Sequence, residues 1–172
     1  MLLTEFIWKP NFLEEEYWFN SKKIASVKSH FFNQTKKDIL INGKKYTAVR
    51  KNSFFHPNLY WAKSKILDEK ENPLVEFDYD ASFAEEISNE KIAQFGKVII
   101  KGKTYWAYRG TNFNSINYNL KDIKLKKNNT GKDILHIVRN KTECGFDSSE
   151  LTIEEAIFCS ILIRARMIWE EL

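Results

Sequence analysis

The C-terminal segment EEAIFCSILIRARMIWEEL, residues 154–172, constrains the fold of this chain more than any other part. From Ala156 to Ile163 nearly every residue is apolar, on all sides of a helix rather than along one stripe. A helix that is apolar all round is either buried on every side or sits in lipid. This apolar run is far shorter than the roughly 18–20 residues that span a bilayer. The sequence therefore predicts a helix that is surrounded by the rest of the protein.

A capping motif marks the point where this helix begins. Thr152 and Glu155 form a Thr-x-x-Glu box, in which each side chain accepts a hydrogen bond from the backbone N–H of the other residue. Glu155 also lies in the first turn, where the helix dipole favours negative charge. The motif predicts a central helix of about residues 152–170.

Two arginines near the end of the helix predict where it leaves the core. Arg164 and Arg166 are about 200° apart around a helix, so their side chains point in opposing directions. We expect that the two cannot both lie deep inside the protein. The helix should then emerge near them, with Trp169 at the rim.

The rest of the chain alternates with the period of a β-strand, and two of its hairpins are alike. In both ILINGKKYTAV and VIIKGKTYWAY a two-residue turn separates two strands, and the turn Asn42-Gly43 of the first is a strong hairpin signal. The hairpins also match each other along the chain. At a spacing of 59 residues the identical pairs are Ile41/Ile100, Gly43/Gly102, Lys44/Lys103, Tyr46/Tyr105, Ala48/Ala107, Arg50/Arg109 and Phe54/Phe113.

A shared Lys-Ile-Ala, at residues 23–25 and 91–93, precedes both hairpins and strengthens the likeness. Self-similarity at a fixed spacing indicates a repeated structural unit. We predict one domain over residues 1–172, built from pseudo-repeats of about five strands each at residues 14–80 and 82–140.

A buried helix among about ten strands requires a sheet that wraps around it. Closing such a sheet encloses space and removes the exposed strand edges. We predict a mainly β fold, a closed antiparallel barrel of two pseudo-repeats that encloses the hydrophobic C-terminal helix. The alternative is a two-sheet sandwich with the helix across one open end. Only the barrel makes Ile157, Cys159, Ile161 and Ile163 all nearly solvent-free.

This combination of a repeated barrel and a helix EEAIFCSILIRARMIW resembles the tubby C-terminal and LURP-one-related superfamily, which includes the phospholipid scramblases. The resemblance covers about residues 14–169. It implies binding to phosphoinositides or membrane surfaces and no established common enzyme activity. It assigns no ligand-binding residue to a position of this chain.

The composition allows several kinds of partner. Hydrophobic residues make up 43% of the chain, which is typical of a packed globule. Lys and Arg number 27 against 23 Asp and Glu, a net charge of +4 that permits contact with phosphates or an anionic membrane without requiring it. The N-terminus carries Glu5 within its apolar run and lacks a basic leader, so a signal peptide is not predicted. We expect a cytoplasmic protein without a transmembrane segment.

The densest basic patch surrounds one predicted strand. Lys124 and Lys126 alternate with Ile123 and Leu125, which places both lysines on one strand face. The candidate anion- or lipid-binding residues are Lys121, Lys124, Lys126 and Lys127. The alternative is that these lysines only solubilise the outer face.

Catalytic and metal motifs are weak. GKVIIKGKT has one residue too many for a P-loop and leads into a strand, so it predicts a turn and no nucleotide site. Cys144 has His136 and Asp147 nearby in sequence, but a thiol nucleophile needs a base within hydrogen-bond reach. We expect no catalytic centre, no cofactor and no metal. The histidines His30, His56 and His136 lack the spacing of a zinc site. The alternating acids Glu76, Asp78 and Asp80 indicate a solvated strand face.

These patterns favour a non-enzymatic binding module that meets an anionic lipid headgroup or a protein partner on the barrel exterior, because the helix fills the interior. Two alternatives stay open. One is a small enzyme with its site at a barrel mouth, where Arg164 and Arg166 could converge; the other is a structural or inhibitory partner of another protein. Aromatic residues interleaved with lysines can stack nucleic-acid bases. Their recurrence in both hairpins instead favours the barrel wall, so we expect no nucleic-acid partner.

Overall fold

The strands form one closed antiparallel barrel. The computed structural model describes residues 3–11, 13–30, 35–50, 61, 63–79, 92–110, 122–128, 131–138 and 141–169. These residues form twelve strands and one helix: β1 (Thr4–Pro10), β2 (Glu14–Phe19), β3 (Lys22–Ser29), β4 (Lys36–Ile41), β5 (Lys44–Arg50), β6 (Lys63–Leu67), β7 (Pro73–Tyr79), β8 (Ile92–Ile100), β9 (Lys103–Gly110), β10 (Asp122–Lys126), β11 (Leu135–Val138), β12 (Glu143–Phe146) and α1 (Ile153–Trp169). Each strand pairs with the next, and β1 pairs with β12. The predicted mainly β barrel is confirmed.

Helix α1 lies inside this barrel. Every residue from Ala156 to Arg166 is buried, over about three turns and therefore on all helix faces. Ile157, Cys159, Ile161 and Ile163 have no exposed surface. A sandwich would leave one helix face open to solvent, so the burial excludes the alternative architecture.

The predicted capping box starts the helix. The backbone N–H of Thr152 donates to Oε2 of Glu155 over 2.9 Å, and the N–H of Glu155 donates to Oγ1 of Thr152 over 3.2 Å. Oε1 of Glu155 also lies 2.7 Å from Nζ of Lys101, in the turn between β8 and β9. The cap thus fastens the helix N-terminus to the barrel wall.

The turn between β12 and α1 directs the chain into the barrel interior, and contacts of the Asp147 side chain stabilise this turn. The Asp147 carboxylate accepts hydrogen bonds from the N–H and the hydroxyl of Ser149 over 3.0 and 2.6 Å, and lies 2.8 Å from Nζ of Lys132. The Lys132 ammonium and these bonds lower the pKa of Asp147 from 3.8 to about 2. The turn is therefore stabilised by a charged carboxylate.

Both arginines of α1 are inside, so the expectation that only one could be deep was wrong. Arg164 and Arg166 are 3% and 5% exposed. The Arg164 guanidinium lies 3.8 Å from the ring centroid of Trp8, and that of Arg166 lies 4.2 Å from the ring of Tyr79. The barrel wall offers an aromatic face on two sides of the helix, and cation–π attraction replaces part of the lost hydration. The side chain of Trp169 lies outside the described part of the structure.

The two similar hairpins adopt the same turn. Asn42 and Gly43 have φ of 48° and 81°, and Lys101 and Gly102 have φ of 49° and 76°. Positive φ at both central residues defines the type I′ turn, whose twist matches that of the flanking strands. The glycine leads into a strand in both cases, as the sequence pattern predicts.

The pairing register repeats at the same spacing as the sequence. The equivalent pairs are Ile41–Lys44 with Ile100–Lys103, and Ala48–Ile66 with Ala107–Leu125. Upstream the two copies differ, because residues 24–25 lie in β3 whereas residues 92–93 begin β8 itself. The range 14–80 holds β2 to β7 and the range 82–140 holds β8 to β11, while β1 and β12 lie outside both and close the barrel.

The two ends of the barrel are built differently. At one end, here called the turn end, tight turns such as residues 20–21, 42–43 and 101–102 join the strands, and α1 begins. At the other, the loop end, longer connections such as residues 51–62 and 80–91 join the strands, and these lie mostly outside the described residues. The helix therefore runs from the turn end towards the loop end.

Candidate anion-binding face

The predicted lysine patch lies on the outside of β10. Lys124 and Lys126 point outward because the intervening Ile123 and Leu125 are buried. Their Nζ atoms lie 3.2 and 3.4 Å from the carboxylate of Asp133. Two ammonium groups thus share one carboxylate, which leaves one positive charge in excess.

The other two residues of the predicted patch are placed differently. Lys127 lies at the turn end, with its Nζ 2.6 Å from Oε1 of Glu150, and this hydrogen bond raises the pKa of Lys127. Lys121 lies outside the described residues. Lys124 and Lys126 thus share the carboxylate of Asp133, whereas Lys127 pairs with a different one.

Strand pairing extends the patch across neighbouring strands. One outward-facing row consists of residues that are paired in register from β6 to β10: Lys63, Asp78, Lys97, Trp106 and Lys126. Because neighbouring strands are about 4.8 Å apart, successive lysines of this row lie about 10 Å apart. The Asp78 carboxylate is 3.7 Å from Nζ of Lys63 and 4.0 Å from Nζ of Lys97, so it neutralises neither fully.

We call this outer surface of β6–β10 the lysine face, defined by Lys63, Lys65, Lys97, Lys124 and Lys126. Among the side chains that the structure describes on this surface, the carboxylates are Glu76, Asp78 and Asp133, so five lysines stand against three acids. Lys65 forms no ion pair with any described residue. These described side chains therefore carry a net positive charge.

A groove of about 440 Å³ lies at one side of the lysine face, over β5–β8. Its apolar lining includes Val49 and Ile99, and its charged lining is Arg50, Lys63, Lys65 and Lys97 with Glu76 and Asp78. Glu76 and Asp78 point outward, as their alternation predicts, while Asp80 lies outside the described residues. Pockets for small ligands occupy about 300–1,000 Å³. The groove can thus hold an anionic group together with an apolar segment.

A second polar region lies in the barrel interior towards the loop end. Nζ of Lys37 lies 2.6 Å from Oε1 of Glu15, and both side chains are about nine-tenths buried. Oε2 of Glu15 accepts a hydrogen bond from Nε1 of Trp8 over 3.0 Å. Burial, together with the Glu15 charge, raises the pKa of Tyr17 well above its ordinary value. These contacts form a largely buried charged layer.

Arg164, a residue of α1, packs against Trp8 and so connects the helix to this charged layer. Its guanidinium donates to the hydroxyl of Ser160 over 3.2 Å and to Sγ of Cys144 over 3.0 Å. Arg164 and Arg166 are therefore buried against the barrel wall and do not converge at an open mouth.

Cys144 and His136 lie on opposite faces of the barrel wall. Cys144 is solvent-excluded, faces the interior and is paired in register with Ile137, whereas His136 points outward from β11. Burial raises the pKa of the Cys144 thiol, and the Arg164 guanidinium opposes this. The geometry that a Cys–His nucleophile requires is not formed by this pair.

The remaining candidate ligands are dispersed. His30 lies on the surface, 2.7 Å from Asp38, and His56 is outside the described residues. Within the described ranges, no three His, Cys, Asp or Glu side chains come together as a metal site would require.

Comparison of the chain with protein-family models, with curated proteins and with solved structures yields no match. Among the described residues, no helix combines the length and the apolarity that crossing a membrane requires. The lysine face and its groove therefore stand on their own geometry.

Proposed function

We propose that this protein is a non-enzymatic binding module whose lysine face binds phosphate-bearing anions, with lipid headgroups as the main source. The filled interior is the observation that carries the proposal. Because every residue of α1 from Ala156 to Arg166 is buried within the wall, the protein itself fills the described part of the interior, which favours the exterior as the binding surface. The lysine face is a cationic exterior surface that includes a groove.

The spacing of the lysines supports recognition of a surface that carries many charges. Ammonium groups about 10 Å apart can each meet a different headgroup, and each Lys near an anionic membrane contributes about 1 kcal/mol. Trp106 lies between Lys97 and Lys126 in the same row, with an aromatic ring that suits a membrane–water interface. The interaction should weaken with salt, because exposed charges are screened over about 8 Å at physiological ionic strength.

Vesicle co-sedimentation tests this proposal directly. The full chain is mixed with phosphatidylcholine vesicles, with and without phosphatidylserine, at a low and a high salt concentration. We expect sedimentation only with the anionic vesicles and less of it at high salt. The triple variant Lys63→Glu, Lys97→Glu and Lys126→Glu should abolish binding.

A matched control separates this surface from total charge. The triple variant Lys28→Glu, Lys36→Glu and Lys141→Glu makes the same charge change at exposed lysines outside the lysine face and should keep most of the binding. A soluble arm uses glycerol 3-phosphate: a rise in Tm without sedimentation would assign the face to a free phosphate compound. Equal sedimentation with both vesicles, or no response in either arm, would contradict the proposal.

A further inference from the structure

A second groove, of about 420 Å³, lies on the outer surface of β3 and β4 near the turn end. It is separate from the lysine face, which begins at β6. Its lining includes Lys22, Lys23, Ile24, Ser26, Leu40 and Asn42. We propose that this groove docks an acidic segment of a partner protein, one that presents an aliphatic side chain to Leu40. This inference is independent of the proposed lipid binding.

The apolar centre of the groove is Leu40. Its neighbours Ile39 and Ile41 are buried in the wall, whereas Leu40 is 44% exposed on the outer face. Ile24, half-buried on the adjacent strand, extends the apolar surface. A single exposed leucine is ordinary on a protein surface. Here, however, it lies in a concave site together with a second aliphatic residue.

Lysines flank Leu40 on both neighbouring strands, and the groove also borders one carboxylate, since Asn42 donates to Oε1 of Glu154 over 3.4 Å. Lys45 is directly opposite Leu40 in the register of β4 and β5, and neither Lys45 nor Lys22 forms an ion pair with a described residue. The nearby carboxylate of Glu16 is already engaged. It lies 2.8 Å from Nζ of Lys23, a hydrogen bond that lowers the pKa of Glu16.

Glu16 is held on its other oxygen as well. Its Oε2 accepts a hydrogen bond from Nε1 of Trp18 over 2.9 Å. The lysines beside the groove that form no ion pair can meet carboxylates of a partner, and complementary charge of this kind directs a partner to the correct surface.

The shape of the site favours a protein segment over a bilayer. A groove receives protruding side chains, whereas a membrane presents a broad surface into which apolar residues must project. An extended or helical segment with Leu or Ile between Asp or Glu residues would fill the groove and meet Lys22 and Lys45 at its edges. An uncharged apolar peptide would leave these ammonium groups without partners.

The test uses defined peptides and NMR of the ¹⁵N-labelled full chain. A peptide of alternating Glu and Leu should shift the amide signals of Ile24, Ser26, Leu40 and Asn42. Peptides of alternating Lys and Leu, or of alternating Glu and Ser, should not. Leu40→Ser should weaken binding of the Glu–Leu peptide by about tenfold, since it removes most of a buried aliphatic contact. Lys45→Glu should weaken it at least as much.

The matched control is Ile99→Ser, which removes an aliphatic side chain from the lysine face. It should leave peptide binding unchanged. Absence of shifts with the Glu–Leu peptide, shifts centred on the lysine face, or equal binding of all three peptides would overturn the inference. The inference would also be overturned if anionic vesicles changed the Leu40 signal and the peptide did not, because that result would assign the groove to a membrane.

Discussion

The two halves of the barrel interior surround the same helix with opposite chemistry. Towards the turn end the packing is apolar: Tyr46 meets Phe158 edge to face at 5.0 Å, and Ile157 is fully buried. Towards the loop end the helix meets the charged layer, in which Glu15 and Lys37 form a buried ion pair. One half excludes water with apolar side chains, and the other must match each polar group with a partner.

This difference separates two kinds of stability. Burying an aliphatic side chain contributes about 1.5–3 kcal/mol wherever it fits, because the hydrophobic effect is non-directional. A buried ion pair contributes little net energy, yet losing one partner is costly. We therefore expect the apolar half to tolerate changes of shape and the polar half to tolerate only matched changes of charge.

The largest expected effect is that of a charge in the apolar surroundings of the helix. Ile161→Glu places a carboxylate at a fully buried position among apolar side chains, at a cost of several kcal/mol. The variant should be unfolded by circular dichroism in the absence of denaturant. Leu40→Glu, which adds the same charge on the exterior, should unfold in urea close to the wild type. A folded Ile161→Glu variant would contradict the enclosed helix.

The next effect concerns the polar half. Glu15→Gln leaves the Lys37 ammonium buried without its counter-charge and should lower the free energy of unfolding by about 3–5 kcal/mol. The double variant Glu15→Gln, Lys37→Met removes both charges and should recover much of that loss. Urea unfolding of both variants and of Lys37→Met alone completes a double-mutant cycle. Additive losses would show that the two residues do not form a coupled pair.

The sequence predicted the apolar half well because its signal is local. An all-round apolar helix and a Thr-x-x-Glu cap are contiguous patterns, and they located α1 correctly. The closing strands were missed for physical reasons: β12 is short and contains Gly145, and β1 carries the weak alternation of TEFIWKP.

The polar half and the lysine face depend on contacts between residues that are distant in sequence. Lys63, Lys97 and Lys126 form one row only because β6 to β10 pair in a particular register. A one-residue slip would send these side chains into the core. The sequence patch around Lys124 therefore showed one edge of the face and not its extent. In the same way, the aromatic partners that allow Arg164 and Arg166 to be buried come from distant strands.

A smaller effect is expected at the helix N-terminus. Thr152→Ala removes the hydroxyl that caps the N–H of Glu155 and should cost about 1 kcal/mol of unfolding free energy. Thr152→Ser keeps the hydroxyl and should cost much less. Urea midpoints of the two variants provide the comparison, and equal losses would indicate that the cap is not what stabilises this end.

The smallest effect depends on pH. The pKa of Asp147 is about 2 in the folded chain, below its ordinary 3.8, so its charged form stabilises the fold above pH 3.8 and this contribution is lost as the pH falls towards 2. Asp147→Asn should be less stable than the wild type at neutral pH, by an amount that shrinks across this window. Denaturant unfolding at a series of pH values measures the difference. A difference that does not change with pH would mean that the charge of Asp147 contributes nothing.

The enclosed helix is the central claim, because it restricts recognition to the exterior, and native-state hydrogen exchange tests it most directly. Amides of residues 156–163 should exchange only when the whole barrel unfolds, with an opening free energy equal to that from urea unfolding. An opening free energy well below the global value would contradict the claim. It would show that α1 leaves the interior while the barrel persists, which would open that interior to a ligand.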